Sequence, residues 1–251
     1  MNKLNKHTAY QRQNDVGVFT INNPPQNYLI EPEFINIDFL KETVSDLSLK
    51  ALVIKGEGRH FSAGADKSML SFMSSSKQLK AKIEKGKALL NQIEKLDIPV
   101  IAMIKGACFG GGLEIALACH IRICSDKSIF AFPETGLGLI PGLGGTQRIS
   151  RLISKARAIE MILEASMINA IQAKEFLLVD HVVKNNESES FTYDLIRQMT
   201  ENRTSNVIRY AMRAINNSEF LPVDKAMKEE TKLFCILAKE EAKRQILEGR
   251  Q

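Results

Sequence analysis

Residues 105–148 read KGACFGGGLEIALACHIRICSDKSIFAFPETGLGLIPGLGGTQR, and the reading of this stretch decides the fold. It follows an apolar run, Val100–Ile104, with the character of a buried strand. Three consecutive glycines, Gly110, Gly111 and Gly112, then open a segment with helical spacing at Leu113, Ala116 and Leu117. A strand that feeds a glycine turn into a helix start leaves unpaired N–H groups at the positive end of the helix dipole. Such a start is a ready site for an anionic oxygen. Glu114 falls in the first turn of that helix and Glu134 in the FPETG turn, and a second glycine-rich loop, residues 141–146, closes the stretch. Amide donors and two carboxylates on turns are the parts needed to hold an oxyanion and move protons beside it.

Outward from there, the chain reads as strands alternating with helices. Val16–Ile21 is a β-branched run bounded by Asp15 and the turn at Asn22-Asn23-Pro24-Pro25, so it reads as a strand. Glu33–Leu47 has apolar residues at helical spacing, and Ala51–Ile54 is a short buried strand. Strand, crossover helix and strand in this order argue for parallel pairing and an α/β class. A long helix marked by Leu79, Ile83, Leu90, Ile93 and Leu96 stops before Pro99. Beyond the central stretch, Ile121–Ile123 and Ile129–Phe132 read as strands, Ile149–Ala165 and Ala170–Phe176 as helices, and Val179 with Val182-Val183 as a last strand. Asn185–Ser190 reads as a loop, and from Tyr193 onward the pattern is helical and charged, broken at Pro222. The expected organisation is a core over residues 1–190 and a C-terminal helical region over residues 191–251.

Composition narrows the class. The 251 residues are 44% apolar and 25% charged, ordinary globular values. No window reaches the run of about 18 apolar residues that spans a membrane. The opening MNKLNKHTAYQRQND has no apolar h-region, so no secretory leader is expected and the location expected is cytoplasmic. Cys108, Cys119, Cys124 and Cys235 form no CxxC pair and share no ligand spacing with a histidine, so neither a disulfide framework nor a metal site is expected. A net charge of +5 suits a polyanionic ligand, but Lys77, Lys80, Lys82, Lys85 and Lys87 lie along one helix with little aromatic interleaving. A solvated face is the better reading of them, and a nucleic-acid partner is not expected.

The glycine loops fit neither the phosphate-loop nor the dinucleotide pattern, and no GxSxG elbow exists. His120, flanked by apolar residues, reads as a core histidine; His60 precedes the small-residue loop Phe61–Asp66 without a motif of its own. In that loop Gly64 permits unusual dihedrals and small side chains admit a ligand close to the backbone. A plain turn with Asp66 as helix cap is the competing reading. Met69–Ser76 is either a cover that turns Met69, Phe72 and Met73 toward an apolar ligand or a loop that tucks them in.

Together, Phe61–Asp66, Lys105–Glu114 and Phe132–Arg148 resemble the crotonase family, most closely its enoyl-CoA hydratases, over roughly residues 14–240. The resemblance implies a spiral of ββα units with a C-terminal helical region, assembled as a homotrimer or a dimer of trimers. It implies acyl thioesters of coenzyme A as substrates and no separate cofactor. By similarity, the Ala65 and Gly111 amides form an oxyanion hole, Glu114 and Glu134 take the acid–base positions, and Gly142 helps to hold water between them. Ala63 and Asp66 match positions that line the coenzyme A site, to which Lys67, Tyr28 and Met69 are added as candidates. Two departures stand out: Lys67 directly follows Asp66, and Tyr28 occupies a groove position that is usually small. Tyr28 either stacks on the coenzyme A moiety or crowds it.

The reaction implied is hydration of a 2,3-enoyl thioester of short or medium chain, with Glu114 deprotonating water and Glu134 supplying the α-proton. A Δ3,Δ2-enoyl isomerase and a hydratase of branched or polyketide thioesters are the rivals on the same scaffold. An RNA-binding protein that merely keeps the scaffold is the rival from another class, and the intact glutamates speak against it.

Overall fold

A computed structural model describes residues 5–66 and 76–247. In the first hairpin, β1 (Thr8–Gln13) pairs antiparallel with β2 (Val16–Ile21) around Asn14, which takes a left-handed φ of 56°. All of β2 is buried, as its β-branched run requires. Helix α1 (Ile37–Ser45) starts later than the apolar spacing from Glu33 suggested. The reason is local: the Asn36 side chain accepts the amides of Asp38 and Phe39 and so fixes the cap. Phe34 and Ile35 go into the core ahead of the helix instead.

The chain then runs through β3 (Ala51–Gly56), α2 (Ser76–Glu94), β4 (Val100–Ile104), β5 (Ala107–Phe109), α3 (Gly111–Ala118), β6 (Ile121–Ser125) and β7 (Ile129–Ala131). The helix read over Ile149–Ala165 is two helices, α4 (Gly145–Leu152) and α5 (Lys155–Leu163). Ser154 breaks it by capping α5 through the Arg157 amide, and α4 begins earlier than expected, inside the second glycine loop. There follow β8 (Ile168–Asn169), α6 (Ala170–Glu175), β9 (His181–Val183), α7 (Ser188–Thr200), α8 (Ser205–Phe220) and α9 (Val223–Leu247). The polar segment Asn185–Ser190 is a 3-10 turn leading directly into α7, not a loop. Among these residues no helix is long and apolar enough to cross a membrane.

Among the described residues, one sheet has six strands in the order β1-β2-β3-β4-β6-β9, parallel from β2 onward, and a second has β5-β7-β8. The chain alternates between them: β4 leads to β5, and β6 leads to β7. The earlier turns do the same in miniature, since Ser62 after β3 bridges Cys108 of β5, and Leu29 after β2 bridges Ala65. This is the spiral of ββα turns that the sequence implied. Its pitch is what stacks the loop after β3 against the loop after β5.

Alternate residues of the large sheet face two cores. Phe19, Leu52, Ile54, Val100 and Ala102 pack toward α1, α2 and the small sheet. Val18, Val53, Ile101, Met103 and Ile123 face α7 through Ile196 and Phe191. A parallel sheet covered on both faces is the stable arrangement for such apolar strands. Helix α8 is tied on by Arg209, whose Nη2 donates to the carbonyls of Val44, Asp46 and Leu49, and by the Arg213–Asp97 ion pair.

Candidate functional site

The two backbone loops that carry the site meet at Gly64. Its φ is +83°, and a Cβ there would lie 2.7 Å from the Phe109 carbonyl oxygen and 3.2 Å from the Gly111 nitrogen. Only glycine allows both the dihedral and the approach. The Phe109 amide donates to the Ser62 carbonyl at 2.9 Å, and the Ser62 hydroxyl donates to the buried Asn27 carbonyl at 2.7 Å and accepts the Gly64 amide. This lattice brings Ala65 to the end of α3 where Gly111 is the first helical residue. Neither the Ala65 nor the Gly111 amide has a hydrogen-bond acceptor among the described residues. A helix with a glycine cap and no capping side chain leaves its first amides available. Two such donors at one helix start can hold a developing oxyanion.

Glu114 is 2% exposed and its Oε1 accepts the amides of Leu143 at 2.6 Å and Gly145 at 2.7 Å. Burial pushes its carboxyl above the usual range, while those two amides and the Arg148 guanidinium oppose the shift. Glu134 sits at the start of the turn Thr135–Leu137, half-buried, with Oε2 unpartnered among the described residues. Burial pushes its carboxyl up to about 7, and the Glu114 charge adds to that shift. Its Oε1 lies against Gly110, where a Cβ would come within 2.6 Å. The two carboxyls are thus placed in unlike surroundings. Burial raises both, but at Glu114 two amide donors oppose the shift, whereas at Glu134 one carboxyl oxygen has no partner among the described residues.

The second glycine loop is clamped from behind. Arg148, buried, donates to the Leu143 carbonyl at 2.9 Å and to Asn91 Oδ1 at 2.6 Å, and pairs with Glu94 at 3.1 Å. Leu143, Gly145, Arg148, Asn91 and Glu94 were not singled out by the sequence, because backbone amides and buried ion pairs carry no motif. Gly142, expected to position water, lies half-buried beside Ile83, one residue before the Leu143 donor.

A cleft of about 500 Å³ runs past this region, lined by Tyr28, Ala63, Ala65, Phe109, Gly110 and Glu134 among others. Tyr28 and Ala63 line this cleft, and Asp66 is the last described residue of its segment. Lys67 and Met69 lie outside the described residues. His120 is a structural histidine, as read: Nδ1 accepts the Val100 amide at 2.9 Å and Nε2 meets the Glu94 carbonyl at 3.2 Å. Among the described residues no group of His, Cys, Asp and Glu could hold a metal ion. The lysines of α2 point mostly to solvent, with Lys80 beside Glu84 and Lys82 beside Glu31.

A family model described as enoyl-CoA hydratase/isomerase matches residues 11–251. The chain belongs to the enoyl-CoA hydratase/isomerase family. Its curated relatives include the fatty acid oxidation complex subunit alpha of Shewanella frigidimarina, 43% identical over 183 residues that make up 70% of this chain and 26% of that protein. The corresponding Shewanella baltica protein is 47% identical over 149 residues, 58% of this chain and 21% of its own length. The match thus spans about a quarter of the length of these relatives. Solved structures of the same fold include Pseudomonas aeruginosa DspI at 28% identity and TM-score 0.88, covering 98% of this chain and 96% of that one. They also include an enoyl-CoA hydratase from Bacillus anthracis at 27% identity and TM-score 0.83, with 98% and 97% covered. A putative enoyl-CoA hydratase from Thermobifida fusca in complex with CoA has 25% identity and TM-score 0.83, with 94% and 95% covered. Family members share the spiral, so the hydratase/isomerase family accounts for the two sheets and the helical C-terminal region together.

Proposed function

We propose that the protein is an enoyl-CoA hydratase that adds water syn across the 2,3-double bond of a short or medium enoyl thioester. The carrying observation is the unlike pair of carboxyls beside two unpaired amides. In this reading the thioester carbonyl accepts from Ala65 and Gly111, which stabilise the enolate oxygen as it develops; losing one such donor costs about 3–4 kcal/mol. Glu114, whose Oε1 is held by two amide donors, takes a proton from water as the oxygen bonds to C3. Glu134, held as the acid by burial, delivers a proton to C2. Product release leaves Glu114 protonated and Glu134 ionised, and proton exchange with solvent restores the pair. Gly142, next to the Glu114 donors, fits beside the water path.

The substrate's coenzyme A moiety runs along the cleft past Tyr28, Ala63 and Asp66, with Lys67 and Met69 as further contacts, and no separate cofactor enters. The two-carboxylate arrangement favours hydration over Δ3,Δ2-isomerisation, which needs only one proton shuttle. Residues 191–251 serve as the assembly region of a cytoplasmic homotrimer or dimer of trimers. This part of the reading is supported by exposed Val223, Met227 and Phe234 on α9.

The test is loss of the conjugated enoyl absorbance of crotonyl-CoA, with mass analysis of the product. A gain of one water and a drop of about 10²-fold or more in Glu114→Gln and in Glu134→Gln supports the mechanism. A product of unchanged mass identifies an isomerase instead. Undiminished turnover in both variants rules out the two-carboxylate mechanism.

A further inference from the structure

Glu114 and Arg148 are joined by a single turn of backbone. The amides of Leu143 and Gly145 converge on Oε1 of Glu114, at 2.6 and 2.7 Å. Gly144 stands between them with φ 98° and ψ 13°, in the left-handed region. A residue in that conformation between two amides is the backbone form that gathers donors onto one anionic oxygen. Arg148 grips the same turn: its Nη1 donates to the Leu143 carbonyl at 2.9 Å, and a Cβ on Gly144 would lie 2.6 Å from that nitrogen. Only a residue without a side chain lets the guanidinium come so close. With Oε1 taken by two amides, Oε2 of Glu114 has no hydrogen-bond donor among the described residues. The turn therefore fixes where Oε2 is presented.

Arg148 is itself held by α2. Its Nη2 donates to Asn91 Oδ1 at 2.6 Å and to Glu94 Oε2 at 3.1 Å, and Nε reaches the same Glu94 oxygen at 3.3 Å. A planar fork serves these acceptors and the Leu143 carbonyl at once, which an ammonium on a flexible stem cannot do in the same geometry. The same helix buttresses the turn directly. A Cβ on Gly86 would meet Leu143 Cδ2 at 2.8 Å, and one on Gly142 would meet Ile83 Cδ1 at 3.5 Å. The charges facing Glu114 are Arg148 on α4 and Lys87 on α2, which favour its anion, and Glu134, whose own carboxyl the Glu114 charge pushes up.

We propose that Arg148 is a positioning residue for Glu114: through the Leu143–Gly145 turn it aims the carboxylate at the reacting water, and Asn91 and Glu94 anchor it for that task. Arg148 itself touches no reacting atom. The water belongs to the hydratase reading above, on which this inference rests; the hold of Arg148 on Glu114 is open to measurement without it.

The test reads Glu114 both with and without turnover. Glutamate side-chain carboxyls are labelled with carbon-13, and the Glu114 resonance is the one lost in Glu114→Gln. Its titration midpoint is compared in the wild type, Arg148→Lys, Arg148→Met and Glu94→Gln. Lysine keeps the charge and loses the fork, so the amides slacken on Oε1 and proton affinity should rise by about tenfold, with a larger rise in Arg148→Met. Glu94→Gln keeps an acceptor for Arg148 and removes its counter-charge, so there the affinity should fall. Ile196→Ala, in the core on the other face of the sheet, loosens the protein away from the turn and should leave the midpoint alone. Turnover of crotonyl-CoA should drop about tenfold or more in Arg148→Lys at unchanged KM, with the acid limb of the pH–rate profile following the midpoint. A wild-type midpoint in folded Arg148→Lys, or a rise in Glu94→Gln or Ile196→Ala as well, overturns the proposal. So does a shifted midpoint with wild-type kcat. If Arg148→Met does not fold, Arg148→Lys and Glu94→Gln decide the matter alone. A wild-type protein that hydrates nothing sinks the hydratase reading, and the midpoints still show whether Arg148 holds Glu114.

Discussion

Gly145 donates its amide to Oε1 of Glu114 at 2.7 Å, and a Cβ on the same glycine would lie 2.9 Å from that oxygen. One residue therefore both supports the carboxylate and leaves it room. The Phe132 ring edge is equally close, so an added methyl has no soft direction in which to move.

Gly145→Ala is accordingly expected to displace the Glu114 carboxylate while the helix α4 still forms. Overpacking of this kind costs about 1–3 kcal/mol of stability. Turnover of crotonyl-CoA should fall by about 10² or more, as for loss of the proposed base. Thermal unfolding and kcat measured on the same preparation check both halves. Wild-type kcat in a folded variant would refute the placement of Glu114.

Gly111→Pro removes a single proposed donor with little damage to the scaffold. Proline is tolerated at the first helical position because that N–H has no helical partner. The nearest obstacle to a Cβ there is the flexible end of Leu29, at 3.0 Å. A circular dichroism spectrum like wild type, with kcat reduced about 10²–10³-fold, is the expected result. Retained activity would mean that the Gly111 amide does not meet the carbonyl.

Glu134 makes the protein sensitive to pH. Its carboxyl titrates at about 7 instead of 4.5 because burial disfavours the anion and Glu114 repels it. A raised folded-state pKa means that the folded chain holds this proton more tightly than the unfolded chain does. The stabilisation is fully present below 4.5 and is lost as pH rises through about 7. The melting temperature should thus fall between about pH 5 and about pH 8, and the fall should shrink in Glu134→Gln. In the same reading, hydration slows above neutrality because the acid form is depleted, and a pH–rate profile tests that separately.

Arg148→Met breaks the buried pair with Glu94, whose side chain is 19% exposed, and frees the Leu143 carbonyl. Removing one member of a buried pair costs about 3–5 kcal/mol, most of it from the stranded partner. Adding Glu94→Gln should recover a good part of that loss, by an amount measured in a double-mutant cycle of denaturant midpoints. Additive losses would show that the two residues act independently.

Much of the fold was legible because its signals are local. The β-branched run Val16–Ile21, the apolar run Val100–Ile104 and the stop before Pro99 each carry their own periodicity or breaker. β8 is two residues long, too short to show a period, whereas the apolar pair Val182-Val183 marked β9, although Val179 lies outside that strand. The break at Ser154 depends on a side-chain cap competing with an otherwise continuous helical pattern. At the site, Glu114 and Glu134 were visible beside their glycines, and the crotonase resemblance assigned their roles. The amides of Leu143 and Gly145 were not visible, since every residue but proline has one. The clamp by Arg148 was hidden for a related reason: Glu94 and Asn91 are more than fifty residues away in sequence and meet it only through the packing of α2 on α4.

The unpaired donors at Ala65 and Gly111 belong to the main chain, and that has an evolutionary consequence. Point mutation can exchange Glu114 or Glu134 for almost anything, but it can delete a backbone N–H only by introducing proline. In the proposed mechanism, the anion-holding half of the site is therefore heritable almost independently of side-chain identity, while the proton-moving half drifts freely. A lineage descended from such a chain can change its chemistry by substituting either carboxylate and keep the same means of steadying the intermediate.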